Sequence, residues 1–223
     1  MRIIPVIDVM GGVVVRAVAG RRSKYRPLRS ALTDSIDPRV VAEALGNATG
    51  AAELYVADLD AILGDGVLSI DPSRFPGTVL FDGGLRTLEQ LEAMRNRPNV
   101  RPVVGTETWT VPPTAWPEPF PAILSLDYFR REFRRGWPGM AEATALAERV
   151  ASIIVLDIAR VGTGQGSGTE AILRELRLRY PKLELLAGGG VKDREDIRRL
   201  EDAGADAVLV ASALHDGSLL GLG

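Results

Sequence analysis

Two aspartates in the sequence lie where a carboxylate can act on a bound molecule. Asp8 ends the apolar run 3–7, and Asp127 ends the similar run 122–126. Such a carboxylate either caps a neighbouring loop or works on a ligand. Two carboxylates can divide acid–base chemistry when their surroundings separate their pKa values, so that one is protonated and the other is ionised. The pair therefore predicts general acid–base catalysis, with loop capping as the alternative role for each aspartate.

Two glycine-rich loops predict sites that bind phosphate. Residues 187–192 read Ala-Gly-Gly-Gly-Val-Lys, residues 81–86 read Phe-Asp-Gly-Gly-Leu-Arg, and each loop follows an apolar segment. Each loop also precedes a helix that begins with a capping residue, Asp193 in one case and Thr87 in the other. Backbone N–H groups in such a loop, at the mouth of a helix, point at an anion. We therefore expect one phosphate subsite from each loop.

The two loops occupy the same place in two similar halves of the chain. Gly84 and Gly190 are 106 positions apart (190 minus 84), and the next strand keeps this offset because Gly105 corresponds to Ala211. A repeat at half the chain length predicts a fold made of two similar halves. Chance recurrence of frequent glycines is the alternative. The first phosphate subsite is predicted from Gly84, Gly105 and Thr106, and the second from Gly189, Gly190, Ala211 and Ser212.

The composition argues against several other classes of protein. With 223 residues, of which 46% are hydrophobic and 25% charged, the chain has the composition of an ordinary globular protein. Its net charge of −2 provides no basic field for nucleic acid, and no apolar run is long enough for a membrane span. The absence of cysteine and the single histidine argue against thiolate and multi-histidine metal sites. We expect a cytoplasmic protein with no metal, no nucleic acid and no membrane partner.

Eight apolar segments, about seven of them followed by some helix, predict the fold. Units of roughly 25–30 residues favour a (β/α)8 TIM barrel over an open doubly wound sheet. The open sheet would need a nucleotide-binding glycine pattern after the first strand, and Gly11 and Gly12 lack that spacing. The proline-rich residues 109–121 predict that the fourth helix is shortened or lost. We expect a single α/β barrel domain over residues 1–223, built from two half-barrel repeats, with its site at the carboxyl ends of the strands.

Short motifs recur at these strand ends, at residues 4–8, 14–16, 58–60, 83–86, 104–106, 125–127, 135–137 and 188–191. In these motifs the chain resembles the HisA/HisF family and is closest to HisA. The resemblance implies an Amadori rearrangement of a phosphorylated aminoaldose to an aminoketose in histidine biosynthesis, without a cofactor. It also implies that Asp8 is the base, that Asp127 is the acid and that Trp137 stacks on the substrate.

The same resemblance implies which residues bind the phosphorylated substrate. These residues lie at the strand ends and in the loops that follow them. The predicted substrate-binding residues are Arg16, Gly20, Asp58, Gly83, Gly84, Arg86, Gly105, Thr106, Arg135, Trp137, Gly162, Thr163, Gly188, Gly189, Gly190, Ala211 and Ser212.

Three single positions and the loop over residues 20–28 depart from the HisA pattern. Leu156 stands where HisA has a threonine at the end of strand six, and Val161 replaces an aspartate in the loop after it. Ala211 replaces a glycine of the second phosphate subsite and adds a methyl group. Two alternatives therefore stay open: a HisA-related paralogue that acts on another phosphorylated metabolite, for example in one-carbon or pterin cofactor synthesis, and a non-catalytic barrel that binds a phosphorylated ligand. A monomer or a small homo-oligomer is expected.

Overall fold

Eight parallel strands close into a barrel in the computed structural model, which describes residues 1–64, 66–112, 115–116, 121–129, 132–133, 145–147 and 149–220. Each strand pairs with the next along the chain, and the last pairs with the first, where Ile4 lies beside Leu209. This closed order confirms the predicted (β/α)8 barrel over the open doubly wound sheet. The barrel strands are β1 (Arg2–Met10), β2 (Glu53–Asp58), β3 (Thr78–Asp82), β4 (Val100–Gly105), β5 (Ile123–Phe129), β6 (Ser152–Asp157), β7 (Glu184–Gly188) and β8 (Ala207–Val210).

Helices connect most of the strands, and their ends follow local sequence signals. The first long helix begins after Asp37, whose carboxylate accepts hydrogen bonds from the N–H groups of Arg39 at 2.9 Å and Val40 at 3.1 Å. It ends at Gly50, which adopts the left-handed conformation. No helix in the described ranges is long and apolar enough to cross a bilayer. The α-helices whose bounds lie within the described residues are Pro38–Thr49, Leu59–Leu63, Leu88–Glu92, Glu170–Arg179, Arg194–Asp202 and Ser212–His215.

Three short strands extend the barrel strands at the carboxyl end. Val13–Arg16 turns back antiparallel against β1, and Arg26–Pro27 adds to it. Glu132–Phe133 pairs in the same way with β5. The hairpin after β1 therefore brings the basic segment around residues 16–26 to the same end of the barrel as Asp8.

The connection between β4 and β5 lacks an α-helix in the residues that the structure describes. Trp109 and Trp116 take up the space on the barrel flank instead. Both indoles are buried, and their ring centroids lie 5.4 Å apart in a tilted arrangement. The described residues agree with a fourth helix that is shortened or lost, and residues 113–114 and 117–120 of this connection lie outside them. A helix predicted over residues 141–150 lies mostly outside the described ranges.

The two-residue period of the strands decides which strand-end residues face the barrel interior. On β1, Ile4 packs inside the barrel, whereas Ile7 and Val9 pack against the surrounding helices. Asp8 shares the parity of Ile4 and therefore faces inward. On β2 the same rule turns Asp58 outward, because its neighbour Ala57 packs inside. Whether a strand-end carboxylate faces the barrel mouth or the surrounding helices thus depends on a shift of one residue along its strand.

A network of paired charges fills the opposite, amino-terminal end of the barrel. Arg101 donates to Glu53 at 3.2 Å, to Glu184 at 3.1 Å and to the Ser152 hydroxyl at 3.1 Å. Arg2 adds ion pairs to the same two glutamates. Inward-facing charges at this end are therefore neutralised by partners, which a half-buried charge requires.

Replacing Arg101 with methionine is expected to lower the free energy of unfolding by about 1–3 kcal/mol, because two glutamates lose a charge-assisted hydrogen bond inside the barrel. Thermal unfolding measures the effect, at roughly 2–4 °C per kcal/mol for a chain of this size. Arg95→Met is the matched control, since Arg95 pairs with Glu92 on the exposed surface. Equal melting temperatures of the two variants would contradict the assignment.

Candidate active site

One layer of inward-facing positions forms the floor of the candidate site. Asp8 lies in register with Ala57, and Ala57 lies in register with Asp82. Across the barrel, Asp127 lies in register with Leu156. The floor therefore carries carboxylates on β1, β3 and β5 and a leucine on β6. This arrangement follows directly from strand parity and barrel closure.

A cavity of about 230 Å³ opens above this floor. Asp8, Asp82, Asp127 and Glu107 contribute carboxylates to its wall. The cavity therefore combines an acidic wall with basic and glycine-rich segments on the strands that follow. Its other lining residues include Arg16, Gly20, Arg22, Tyr25, Tyr55, Leu59, Ile62, Leu156, Ile158, Val161, Gly162, Thr163, Gly164, Gly189, Gly190, Lys192, Leu209, Ala211 and Ser212.

Asp8 and Asp82 share the β1–β3 side of the cavity. Burial, and then the charge of Asp82, raise the pKa of Asp8 to about 7. Burial raises the pKa of Asp82 to about 6, against the opposing effect of the Gly84 N–H, which donates to its Oδ1 atom at 3.1 Å. The Tyr55 hydroxyl donates to Asp82 Oδ2 at 3.1 Å. Asp8 is thus poised to exchange a proton near neutral pH.

Hydrogen bonds fix the Asp127 carboxylate in place on the cavity wall. Its Oδ1 accepts from the Ser125 hydroxyl at 2.7 Å, and its Oδ2 accepts from the Thr106 hydroxyl at 3.3 Å and the Glu107 N–H at 3.3 Å. Burial, followed by the charges of Glu107 and Asp82, raises the pKa of Asp127 well above its ordinary value. A protonated carboxyl fixed in this way has the properties of a general acid.

Gly105 makes room for the Asp127 carboxylate. A Cβ atom at Gly105 would lie 2.9 Å from Asp127 Oδ2, which is closer than unbonded atoms of this kind approach. Gly105, which was predicted to bind phosphate, therefore leaves the space that the Asp127 carboxylate of the neighbouring strand occupies.

The hairpin after β1, which carries the basic residues around 16–26, packs against the loop after β6. The Ala19 N–H donates to the Val161 carbonyl at 2.8 Å. Gly162 has a φ of +68°, and a Cβ there would lie 2.1 Å from the Ala17 carbonyl oxygen. The contact holds the segment that carries Arg16 and Gly20 against the β6–β8 side of the cavity. Glycine at position 162 is thus required for closure of this side.

Most of the predicted residues of the second phosphate subsite line the cavity. Gly189 and Gly190 have φ values of +91° and +77°, and the Gly190 carbonyl accepts from the Gly166 N–H at 2.9 Å. Lys192 and Ser212 complete this part of the wall. The predicted residues that the structure brings to the cavity are Asp8, Asp127, Arg16, Gly20, Gly162, Thr163, Gly189, Gly190, Ala211 and Ser212.

Several other predicted residues do not reach the cavity wall. Asp58 is fully buried and accepts hydrogen bonds from the N–H groups of Ala61, Ser69 and Ile70 and from the Ser69 hydroxyl. Its outward parity makes it a structural cap for the segment after β2. Predicted residues that lie off the wall are Asp58, Gly83, Gly84, Arg86, Gly105, Thr106 and Gly188. Arg135 and Trp137 lie outside the described residues.

Several cavity residues lie outside the predicted set of site residues, among them Tyr55, Asp82, Glu107 and Ile62. Tyr55 and Asp82 have inward parity on β2 and β3, and Glu107 comes two residues after Gly105. Ile62 lies on the helix after β2. Strand parity was a sufficient signal for Tyr55 and Asp82, whereas the positions of Glu107 and Ile62 depend on how loops fold over the barrel.

Asp8→Asn is expected to raise the melting temperature relative to the native protein by more at pH 8 than at pH 4.5. The native pKa near 7 lies above the ordinary value of ~3.9 for an unfolded aspartate. The native state therefore binds a proton that the unfolded state has lost, and stability falls as the pH rises between these values. Asparagine does not titrate, so the Asp8→Asn variant does not lose stability in this way as the pH rises. Melting curves at the two pH values test it, with the exposed Asp202→Asn as control; an equal shift at both pH values would contradict it.

Comparison with known proteins places this fold and cavity in a family. The family described as histidine biosynthesis protein matches residues 2–220. An uncharacterised protein of Methanocaldococcus jannaschii is 32% identical over 98% of this chain and 95% of its own length.

Named enzymes are similar over the same extent. The 1-(5-phosphoribosyl)-5-((5-phosphoribosylamino)methylideneamino)imidazole-4-carboxamide isomerase of Thermus thermophilus is 30% identical over 98% of this chain and 96% of its own length. The isomerase of the same name from a Synechococcus species is 32% identical over 98% of this chain and 90% of its own length. These matches include every barrel strand and confirm the resemblance noted at the strand ends. The chain belongs to the histidine biosynthesis protein family.

Proposed function

We propose that the protein is an aldose–ketose isomerase that performs an Amadori rearrangement on a phosphorylated ribosyl-type amine. The observation that carries the proposal is the placement of Asp8 and Asp127 on one cavity in environments that differ. Asp8 has a pKa near neutrality and Asp127 has one held well above its usual value, as a base and an acid require. The isomerases similar to this chain act on a molecule with phosphoribosyl groups.

The proton transfers of such a rearrangement assign one role to each aspartate. Asp127 gives a proton to the ring oxygen, the bond from C1 to that oxygen breaks, and the nitrogen lone pair forms an iminium with C1. Asp8 removes the proton from C2, the C2–H electron pair forms the C1–C2 double bond of an enolamine, and the iminium electron pair returns to nitrogen. Protonation of C1 and loss of the C2 hydroxyl proton then give the aminoketose, so that atoms balance without a redox partner.

A phosphate on the substrate would be held on the β6–β8 side. Gly189, Gly190 and Ser212 line the cavity there, and Arg16 and Lys192 provide positive charge. Binding a remote phosphate supplies orientation for the reacting carbons, which converts binding energy into rate.

Two further functions stay open as alternatives. A paralogue acting on another phosphorylated metabolite is favoured by Leu156 and Val161, since both line the cavity with apolar surface. A non-catalytic phosphate-binding barrel would have no use for two desolvated carboxylates. The cytoplasmic location, the single domain over residues 1–223, the monomer or small homo-oligomer, and the absence of a cofactor and of a nucleic-acid partner stay predictions.

Asp8→Asn and Asp127→Asn are each expected to lower kcat by ~10²–10⁴, the contribution of a general acid or base. The native kcat/KM should be bell-shaped in pH, with an acid limb near the pKa of Asp8, about 7. Asp157→Asn is the matched control, because Asp157 ends β6 with outward parity and caps the following turn at Ala159. Folded variants with full activity would show that the two carboxylates are structural.

Leu156→Thr combined with Val161→Asp is expected to raise kcat/KM for the phosphoribosyl aminoaldose of the named isomerases. The native protein should turn that compound over slowly, because a cavity wall without a hydrogen-bonding partner discriminates poorly for a substrate hydroxyl. Steady-state kinetics of both proteins test this, with Leu156→Thr alone as the control. A native kcat/KM of ~10⁴–10⁸ M⁻¹s⁻¹ would contradict it.

A further inference from the structure

We infer that the substrate carries a single phosphate, on the β6–β8 side of the cavity, and presents an amine or similar cationic donor to the carboxylates on the β1–β5 side. The inference rests on the proposed function only in taking this cavity as the substrate site and the glycine loop after β7 as its phosphate subsite. It departs from the sequence repeat, which predicts one phosphate for each glycine loop.

The glycine loop after β3 is covered by the chain itself. Gly84 has a φ of +60°, and a Cβ there would lie 2.5 Å from the Ile62 Cα and 2.9 Å from the Ile62 nitrogen. Gly83 is pressed against the Leu68 side chain, where a Cβ would lie 2.7 Å from the nearest carbon. Both glycines are buried. The helix Leu59–Leu63 therefore occupies the space in front of this loop.

The N–H groups that would bind a phosphate at this loop already have acceptors. The Gly84 N–H donates to Asp82 Oδ1 at 3.1 Å, and the Arg86 N–H donates to the Gln90 side chain at 2.7 Å. On the neighbouring loop, the Glu107 N–H donates to Asp127 Oδ2 at 3.3 Å. A phosphate would have to displace two carboxylates that are themselves part of the cavity wall.

The basic residue of this loop is also occupied. The Arg86 guanidinium donates to the backbone carbonyls of Ile62 at 2.8 Å and Ala61 at 3.4 Å, and to that of Gly84. Its counterpart in the repeat, Lys192, lines the cavity, and its ammonium nitrogen lies 3.7 Å from the Asp193 carboxylate at the surface. The two halves therefore use the same position differently, one to hold a helix and one to face the ligand.

The cavity wall carries both cations and carboxylates. Lys192 follows β7 and Arg16 and Arg22 lie in the hairpin after β1, whereas the carboxylates of Asp8, Asp82 and Asp127 lie near the carboxyl ends of strands β1, β3 and β5, and that of Asp216 follows β8. Within the described part of the chain the three strand-end aspartates form no ion pair. An anion brought to them would add repulsion to their cost of burial, and a cation would relieve it.

The size of the cavity agrees with a compact ligand. At about 230 Å³ it lies below the ~300–1,000 Å³ of pockets for drug-sized ligands. Leu59 and Ile62 close the end nearest the covered loop. A phosphorylated amine or aminosugar fits this space.

Matched sugar phosphates test the inference by calorimetry at pH 7. Glucosamine 6-phosphate is expected to bind at least about tenfold more tightly than glucose 6-phosphate, the gain from a charge-assisted hydrogen bond. Fructose 1,6-bisphosphate is expected to bind no more tightly than fructose 6-phosphate. Inorganic phosphate should saturate at one per chain, observed by calorimetry and by a crystal soak.

The outcomes separate this inference from the proposed function. Two phosphates per chain, or a bisphosphate that binds tenfold more tightly, would overturn the inference and leave the isomerase proposal standing. Equal binding of the amine and hydroxyl sugars would also overturn it. Failure of every phosphorylated probe to bind would overturn both proposals, because the phosphate subsite itself would be absent.

Two variants locate the amine preference. Asp82→Asn keeps the shape of the side chain but removes its charge, and it is expected to reduce the preference for glucosamine 6-phosphate to about threefold or less. Glu107→Gln should act in the same direction and covers the case in which Asp82→Asn fails to fold. Glu89→Gln, at an exposed position on the helix Leu88–Glu92, is the control. A preference that persists in both Asp82 and Glu107 variants would overturn the assignment of the amine to this wall.

Discussion

Desolvation of three aspartates at the mouth of the barrel is the constraint on which the rest of the site depends. Closure of eight parallel strands forces Asp8, Asp82 and Asp127 inward, away from water. At the amino-terminal end of the same barrel, inward charges such as Arg101 and Glu53 neutralise one another. At the mouth, hydroxyl and amide donors support the carboxylates but do not neutralise them. The barrel therefore keeps proton-exchanging groups where a ligand arrives.

The two similar glycine loops, one after β3 and one after β7, have different surroundings in the two halves of the chain. After β7, the glycines leave backbone groups on the cavity wall. After β3, the helix Leu59–Leu63 packs on Gly84, and Arg86 holds that helix through its carbonyl oxygens. The cause lies in the preceding connection, where Asp58 caps and anchors the segment that folds over the loop. A symmetric sequence motif thus becomes an asymmetric cavity.

Leu156 gives the cavity wall an apolar surface beside a buried carboxylate. Leu156 lies in register with Asp127, so the acid is adjacent to a hydrocarbon surface. Burial, followed by the charges of Glu107 and Asp82, raises the pKa of Asp127 well above its ordinary value. The Leu156 side chain offers no hydrogen bond that a sugar hydroxyl would use.

Local sequence determined a large part of this protein. The apolar runs, the caps at Asp37 and Asp193, and the prolines before β5 were enough to predict the barrel and its altered fourth connection, because these signals act over a few residues. The strand-end position of Asp8 and Asp127 likewise predicted a pair of carboxylates in one site.

Tertiary structure alone decided which strand-end groups face the ligand. Asp58 and Asp82 look alike in the sequence, yet one turns outward and caps a helix while the other faces the cavity. Gly84 and Gly190 match in the repeat, but only Gly190 lies on the cavity wall. These differences depend on strand parity at barrel closure and on packing between segments distant in the chain. A motif specifies which groups are available, whereas long-range packing determines which of them are already bonded to the protein itself.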